Sequence, residues 1–357
     1  MKKRTLILAT MIATMTAFAG CGKKTPEEKL ADELKSTLIN FDNSKKEEST
    51  IVNSDSSKEE ESAIDPQAYR TGYTYENGVL SLYMDQGNYN FFQENYGLLE
   101  EVTEVIITGR SENVGSLSKY KNLEKVTIKK DLEKIGRQTF TNCEKIETLV
   151  LPDSVKTIEE DAFAHCTSLK NINMPKSLTY IGRNAFFGCS SLENVTFPDS
   201  LTAIGESAFA RCTSLTKVCI PKNVYVFQDG FLCCSSVTEL ILEDGMRGIG
   251  SSFMDATFGG LAITEVTIPG SVETIGDRAF CYTNTLETVV IKEGVKNIGK
   301  DAFIVCPLLT SVTIPASVES IYENPFGGCS EDFTIYGVAG SAAETCANTY
   351  GYRFVAQ

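Results

Sequence analysis

The 357 residues, 42% of them hydrophobic and 22% charged, suffice for two or three compact domains or for one long core. A formal charge of −14 repels both nucleic-acid phosphates and anionic headgroups, so nucleic acid is excluded as an expected partner. The single histidine, His165, excludes a histidine-rich metal site and leaves a Ser-His-Asp triad without partners in register, so no metal and no cofactor is expected.

In chain order, Lys2, Lys3 and Arg4 precede an uncharged, largely apolar stretch from Leu6 to Ala19. That stretch is shorter than the roughly 20 residues a membrane-spanning helix needs, so it reads as an export signal. The following Phe18-Ala19-Gly20-Cys21 resembles the lipobox of bacterial lipoproteins, with Phe18 in place of the more usual leucine. The resemblance implies a signal peptide over residues 1–20 and a Cys21 that is acylated and becomes the first mature residue. More than one acyl chain there would make membrane anchoring stable. An ordinary secretory signal with a chance cysteine is the alternative.

Residues 21–66 contain runs such as Lys45-Lys46-Glu47-Glu48-Ser49, with too little apolar surface to offset the entropy of ordering. They are expected to form a disordered tether from Cys21, with a short marginal helix between Thr25 and Leu38. Residues 67–104 are dense in aromatics: Tyr69, Tyr73, Tyr75, Tyr83, Tyr89, Phe91, Phe92 and Tyr96. An N-terminal cap over the open end of a core accounts for them, and an aromatic patch for carbohydrate or peptide is the alternative.

From 105 to 336 the chain repeats, mostly every 23 residues, from segments beginning at Val126, Leu149, Ile172, Val195, Val218, Leu240, Val266, Val289 and Val312. In one copy the columns read Leu149, Leu151, Pro152, Val155, Ile158, Ala162-Phe163, Cys166 and Leu169; another reads Val195, Phe197, Pro198, Leu201, Ile204, Ala208-Phe209, Cys212 and Leu215. Self-similarity at this period indicates coils that stack and share one core. Alternation in Val126-Thr127-Ile128 makes a short strand with one inward face, and the proline column then ends it. A second short strand follows. Gly136, Gly182, Gly205, Gly250, Gly276 and Gly299 come next, where a turn is expected to need permissive backbone. The spacing of Ala-Phe-x-x-Cys predicts a short helical or 3₁₀ turn burying Phe and Cys. The predicted fold class is therefore an α/β solenoid, rich in β-structure, of parallel short strands and short helical turns.

The motif Ile-x-Ile-Pro-x-x-Val-x-x-Ile-Gly-x-x-Ala-Phe-x-x-Cys-x-x-Leu is close to the diagnostic pattern of BspA-like leucine-rich repeats. The chain resembles that class over about two thirds of its length. Membership implies a right-handed, arc-shaped parallel solenoid on a microbial surface. Some members are adhesins for host matrix or other microbes, a role that transfers by analogy only. Residues 337–357 are similar to the terminal cap of such proteins: a helix near Gly340 to Ala347, then a strand at Tyr352 to Val355.

Cys143, Cys166, Cys189, Cys212, Cys234, Cys306 and Cys329 share one column, expected to be a ladder of small buried residues. Disulfides between rungs are a second option and a metal a third, disfavoured because a line is not a tetrahedral cage. Cys219, Cys233, Cys281 and Cys346 lie off the column and are expected to be exposed. Carboxylate pairs such as Glu159-Glu160, Glu100-Glu101 and Glu243-Asp244 sit at variable turn positions, where a solvated surface is the default.

Binding then needs a surface. The outward strand positions Thr127, Val150, Asn173, Thr196, Cys219, Ile241, Thr267, Val290 and Thr313 form the candidate face, although β-branched residues suit strands for structural reasons alone. The spacing from Leu240 to Val266 is 26 residues, which predicts a protruding or partly mobile loop around Phe253, Phe258, Gly259 and Gly260, with an apolar insertion tucked onto the solenoid as the alternative. The expected whole is a monomeric, non-enzymatic surface lipoprotein, held to the membrane through Cys21, that binds a protein or glycan of host matrix or other microbes. The alternative is an envelope hydrolase or accessory factor acting on cell-wall polymers.

Overall fold

The computed structural model describes residues 73–83, 100–108, 115–129, 132–250 and 256–357. The chain divides into two units, Met1–Asp65 and Pro66–Gln357, and every described residue belongs to the second. The signal, Cys21, the tether, five of the expected cap aromatics (Tyr69, Tyr89, Phe91, Phe92, Tyr96) and Phe253 lie outside the described residues.

An antiparallel hairpin, Tyr73–Glu76 with Val79–Tyr83, opens the structure. Its second strand pairs in parallel with Glu104–Thr108, and from there the coils add first and second strands in turn, the coil of Val195 having only an isolated bridge from Asn194 to Lys217 in place of a first strand. First strands pair in parallel and in register: Val105 faces Val126, Val266 faces Val289, and Val289 faces Val312. Second strands, from Lys134–Ile135 to Ser320–Ile321, form a nine-stranded sheet in consecutive order. The first strands fall into four separate sheets, and the core between them and the second-strand sheet is filled by the repeat columns, with Val155, Ile158, Phe163 and Leu169 all at most 1% exposed.

The third side carries no helix. Its residues form hydrogen-bonded turns, and the single α-helix among the described residues is Ala342–Tyr350. The solenoid is therefore nearly all β-structure, which corrects the α/β expectation and its helical turns. The cause is local. Residues two before and two after each ladder phenylalanine other than Phe258 have positive φ, as at Asp161 (56°) and His165 (60°), and alternation of left- and right-handed backbone cannot propagate a helix. The amides are instead satisfied between coils: Phe163 N donates to Ala185 O at 2.7 Å and His165 N to Phe187 O at 2.7 Å.

The glycine column has a different reason from the one expected. A Cβ on Gly205 would lie 2.7 Å from the Gly182 carbonyl carbon, and one on Gly182 would lie 2.7 Å from that of Glu159. Close approach of successive coils requires glycine here. Positive φ applies in that column only to Gly250, at 64°. The prolines act as predicted and also start turns, since Pro152, Pro175 and Pro198 each accept from the amide three residues later at 3.0–3.1 Å.

Phenylalanine and cysteine form two internal ladders. Nine rings, from Phe140 to Phe326, stack coil upon coil with centroids 4.9–5.7 Å apart. From Cys166 on, each column cysteine donates its thiol to the phenylalanine carbonyl of the preceding coil, as Cys166 does to Phe140 at 3.0 Å, Cys189 to Phe163 at 3.1 Å and Cys212 to Phe186 at 3.2 Å, while Cys143 donates to Leu117 O at 3.7 Å. Thr283 takes the same position where cysteine is absent, its hydroxyl 3.5 Å from Phe258 O. The eleven described cysteines are free thiols. Off the column, Cys219 and Cys233 are partly exposed, but Cys281 and Cys346 are buried, against expectation. Cys281 follows a ladder phenylalanine, where Ala164 and Ala210 are buried in other coils, and Cys346 lies on the inner face of the terminal helix.

That helix begins at Ser341, whose hydroxyl accepts from Ala343 N at 3.2 Å, and ends at Gly351 in the left-handed region. It buries Ala343, Cys346 and Ala347. The strand Arg353–Ala356 then pairs with Thr334–Gly337, while Phe333 and Tyr352 close the phenylalanine stack beyond Phe326.

Candidate functional site

All nine candidate positions on the first strands point outward, half-buried or exposed. Alternation places them there, because their neighbours on both sides are drawn into the core. Register aligns them in runs within separate sheets of first strands: Cys219 pairs with Ile241, Thr267 with Val290, and Val290 with Thr313. The outward positions run further than the repeat count suggested, through Ile106 at one end and Tyr336 and Val355 at the other. Val150 is 75% exposed and Ile241 38%, so apolar side chains meet solvent among the threonines. Beside Val150 lies a hollow of about 480 Å³ that also touches Asn173, Met174 and Thr196.

Asn173 belongs to the scaffold. Its side-chain oxygen accepts from Leu151 N at 2.7 Å and its amide donates to Leu151 O at 2.8 Å. The carboxamide thus replaces the backbone ladder where the strands Thr148–Leu149 and Asn171–Ile172 stop short. Asn173→Ala leaves the half-buried Leu151 amide without its partner, so a loss of about 1–3 kcal/mol is expected in urea unfolding. An unchanged midpoint would show that the pair contributes nothing.

Cys219 is half-buried on the same face, 3.6 Å from a Glu243 carboxylate oxygen. Burial first, then the charge of Glu243, raises its pKa above the ordinary thiol value. Ion pairs between coils flank the face: Lys125 with Glu104 at 2.8 Å, Lys170 with Glu147 at 2.9 Å and Lys217 with Glu239 at 2.7 Å. Such exposed pairs stabilise little, but they neutralise the rim and leave a mildly polar surface.

The carboxylate pairs are absorbed similarly. Glu159 meets Lys134 at 3.2 Å, Glu160 meets Arg137 at 3.4 Å, and Glu101 accepts from Tyr75 at 3.0 Å. His165 is exposed, its ring edge-on to Phe187. Among the described residues, no group of three or more His, Cys, Asp or Glu is placed to hold a metal ion.

The loop expectation needs correcting. Phe258 is fully buried as a rung of the stack, between Phe231 and Phe280, and Gly259 and Gly260 form the turn that follows it. Nine residues separate Phe258 from the inward Ile249, where five separate Phe163 from Ile158. The extra length therefore precedes Phe258. The 26-residue spacing revealed an insertion, but only the buried ring shows which residues stay in the repeat.

Against this geometry stands the comparison with known proteins. The BspA type Leucine rich repeat region matches in six copies, over residues 114–237, 161–257 and 251–336. The chain belongs to the BspA-type leucine-rich-repeat family. The match covers more than half of the chain and coincides with the coils described above. No curated protein matches. Among solved structures, a leucine-rich repeat protein from Bacteroides ovatus is 19% identical, covering 80% of this chain and 97% of its own, with a TM-score of 0.42. A leucine rich cell surface protein from Faecalibacterium prausnitzii is 23% identical, over 78% and 88%, with a TM-score of 0.40. The leucine rich repeat protein of T. pallidum is 20% identical, over 81% and 96%, with a TM-score of 0.31. No helix among the described residues is long and apolar enough to cross a membrane.

Proposed function

We propose that this BspA-type chain is a cell-surface, lipid-anchored, non-enzymatic binding protein that recognises a protein or glycan through the outward face of its first strands. The observation that carries the reading is the series of outward strand positions from Ile106 to Val355, which presents threonines and apolar side chains over successive coils. A repeat face of this kind holds an extended partner through many modest contacts. Export and anchoring rest on Cys21 and its flanks, and the Faecalibacterium protein described as a cell surface protein agrees with that placement.

The test compares the chain with a Thr267→Arg/Thr313→Arg variant against purified host matrix proteins and microbial surface polysaccharides immobilised on a sensor. Both positions are outward, so the fold is expected to tolerate arginine. At least one surface should bind the parent chain and lose about tenfold or more in affinity with the variant. No binding to any of them, or undiminished binding by the variant, contradicts the proposal.

A further inference from the structure

The sheet of second strands carries a feature that the first-strand face lacks. In the column immediately after each inward isoleucine or valine, Gly250, Gly276 and Gly299 follow one another, with Phe227 before them and Tyr322 after them. These two aromatic side chains are exposed, at 40% and 54%. The glycines leave a trough of about 650 Å³ between Thr274 and Asn297 on one side and Asp277 and Lys300 on the other. At Gly248 the ring of Tyr225 lies 2.8 Å from where a Cβ would be, so this glycine lets the tyrosine ring lie over the coil as the trough's wall. At about 4.8 Å per coil, four coil steps place the two aromatic ends about 19 Å apart. A trough of this volume lies within the range of small-ligand sites, roughly 300–1,000 Å³.

Its chemistry narrows the occupant. The backbone of the floor is already used: the amides of Gly250, Gly276, Gly299 and Tyr322 donate to the preceding coil at 2.9, 3.1, 2.9 and 2.9 Å. A peptide strand therefore finds no ladder to extend. What remains is aromatic faces at the ends and hydroxyl, amide and charged groups between them. Asn297 donates to Thr274 at 3.2 Å and keeps its carbonyl oxygen turned to no protein donor. Lys300 is paired with Glu323 at 2.5 Å, while Arg247 has no ion pair among the described residues and shares the lining with Glu273. Charges of both signs line the trough, and the −14 of the whole chain opposes polyanions.

We propose that this trough is a second binding site, for a short stretch of uncharged oligosaccharide. Apolar sugar faces stack on Tyr322 at one end and on Tyr225 at the other, and hydroxyls bond to Asn297, Asp277 and Arg247. The site lies on the other sheet from the first-strand face and stands or falls independently of it.

The chain contains no tryptophan, so its tyrosine fluorescence reports directly on a ligand stacked there. The experiment titrates the full chain with neutral cello-, malto- and chito-oligosaccharides, then repeats the titration with Tyr322→Ala and Asn297→Tyr. Tyrosine already occupies the Asn297 column at Tyr180 and Tyr225, so Asn297→Tyr fills the trough without disturbing the coil. At least one neutral series is expected to bind, and both variants to weaken it about tenfold or more, the loss of a stacked ring or of the space itself, with an unchanged melting temperature. Three results overturn the proposal: no neutral oligosaccharide binding, binding that survives both variants, or preference for an acidic oligosaccharide run in parallel.

Discussion

Replacing Phe186 with alanine is expected to remove about 3–5 kcal/mol of stability, the range for deleting a buried aromatic side chain. Phe186 is fully buried, its ring 5.0 Å from Phe163 and 4.9 Å from Phe209, with interplanar angles of 7° and 9°. The gap cannot close by local collapse, because backbone bonds to both neighbouring coils hold it open: Phe186 N donates to Ala208 O and Phe163 N to Ala185 O, each at 2.7 Å. Two ring contacts vanish with the side chain, each contributing about 0.5–1.5 kcal/mol beyond area burial, which places the loss toward the top of the range. Phe140 stacks on one ladder ring only, so Phe140→Ala should lose less. Guanidinium unfolding of the two variants beside the parent chain checks both the size and the order. Equal losses, or losses under about 1 kcal/mol, would show that the stack is not what holds successive coils together.

Alkaline pH is expected to unfold the solenoid steeply. Burial pushes Cys143, Cys189 and Cys329 from the ordinary 9.0 up to about 12, and holds Cys166, Cys212 and Cys306 well above it. The direction of the effect follows from proton binding. Between pH 9 and about 12 an unfolded thiol has lost its proton and a folded one has kept it, so the folded state binds more protons. Stability is therefore fully present below pH 9 and falls as pH rises towards 12. Each thiol contributes a slope of about 1.4 kcal/mol per pH unit, and six together about 8, against a typical total of about 5–15. Under reducing conditions the melting temperature should hold from pH 7 to 8.5 and drop sharply by about pH 10. A melting temperature that stays level through that interval would mean that the thiols do not need burial in neutral form.

Much of this was legible in the sequence, because the columns that repeat are the columns that pack. Phe163 and Cys166, three apart and repeated in most coils, announced two ladders, and the alternation of Val126-Thr127-Ile128 placed Thr127 outward. What the sequence hid was the backbone between those columns. The spacing of Ala-Phe-x-x-Cys suits a helical turn as well as a turn with two left-handed residues, and residues such as Val305 at φ 56° give no warning of the second. Gly205 looked like a turn residue because a glycine excluded by the next coil's backbone leaves the same letter as one chosen for positive φ. Asn173 looked free on its face, since its pairing with Leu151 depends on a strand that stops early. The trough had a signal that repeat alignment contains: Phe227 and Tyr322 interrupt a glycine column. Shared columns mark the scaffold, whereas that site lies where the coils differ.

The repeat columns are consumed by the scaffold, and chemistry is left only to what points out of it. Alkylation of the native chain at pH 8, read by mass spectrometry, tests this residue by residue. Cys219 and Cys233, the partly exposed thiols off the column, are expected to be modified, while Cys143, Cys166, Cys189, Cys212, Cys234 and Cys306 stay untouched until denaturant is added. Modification of those six at the rate of Cys219, or their absence as thiols because they are bridged in pairs, would contradict it.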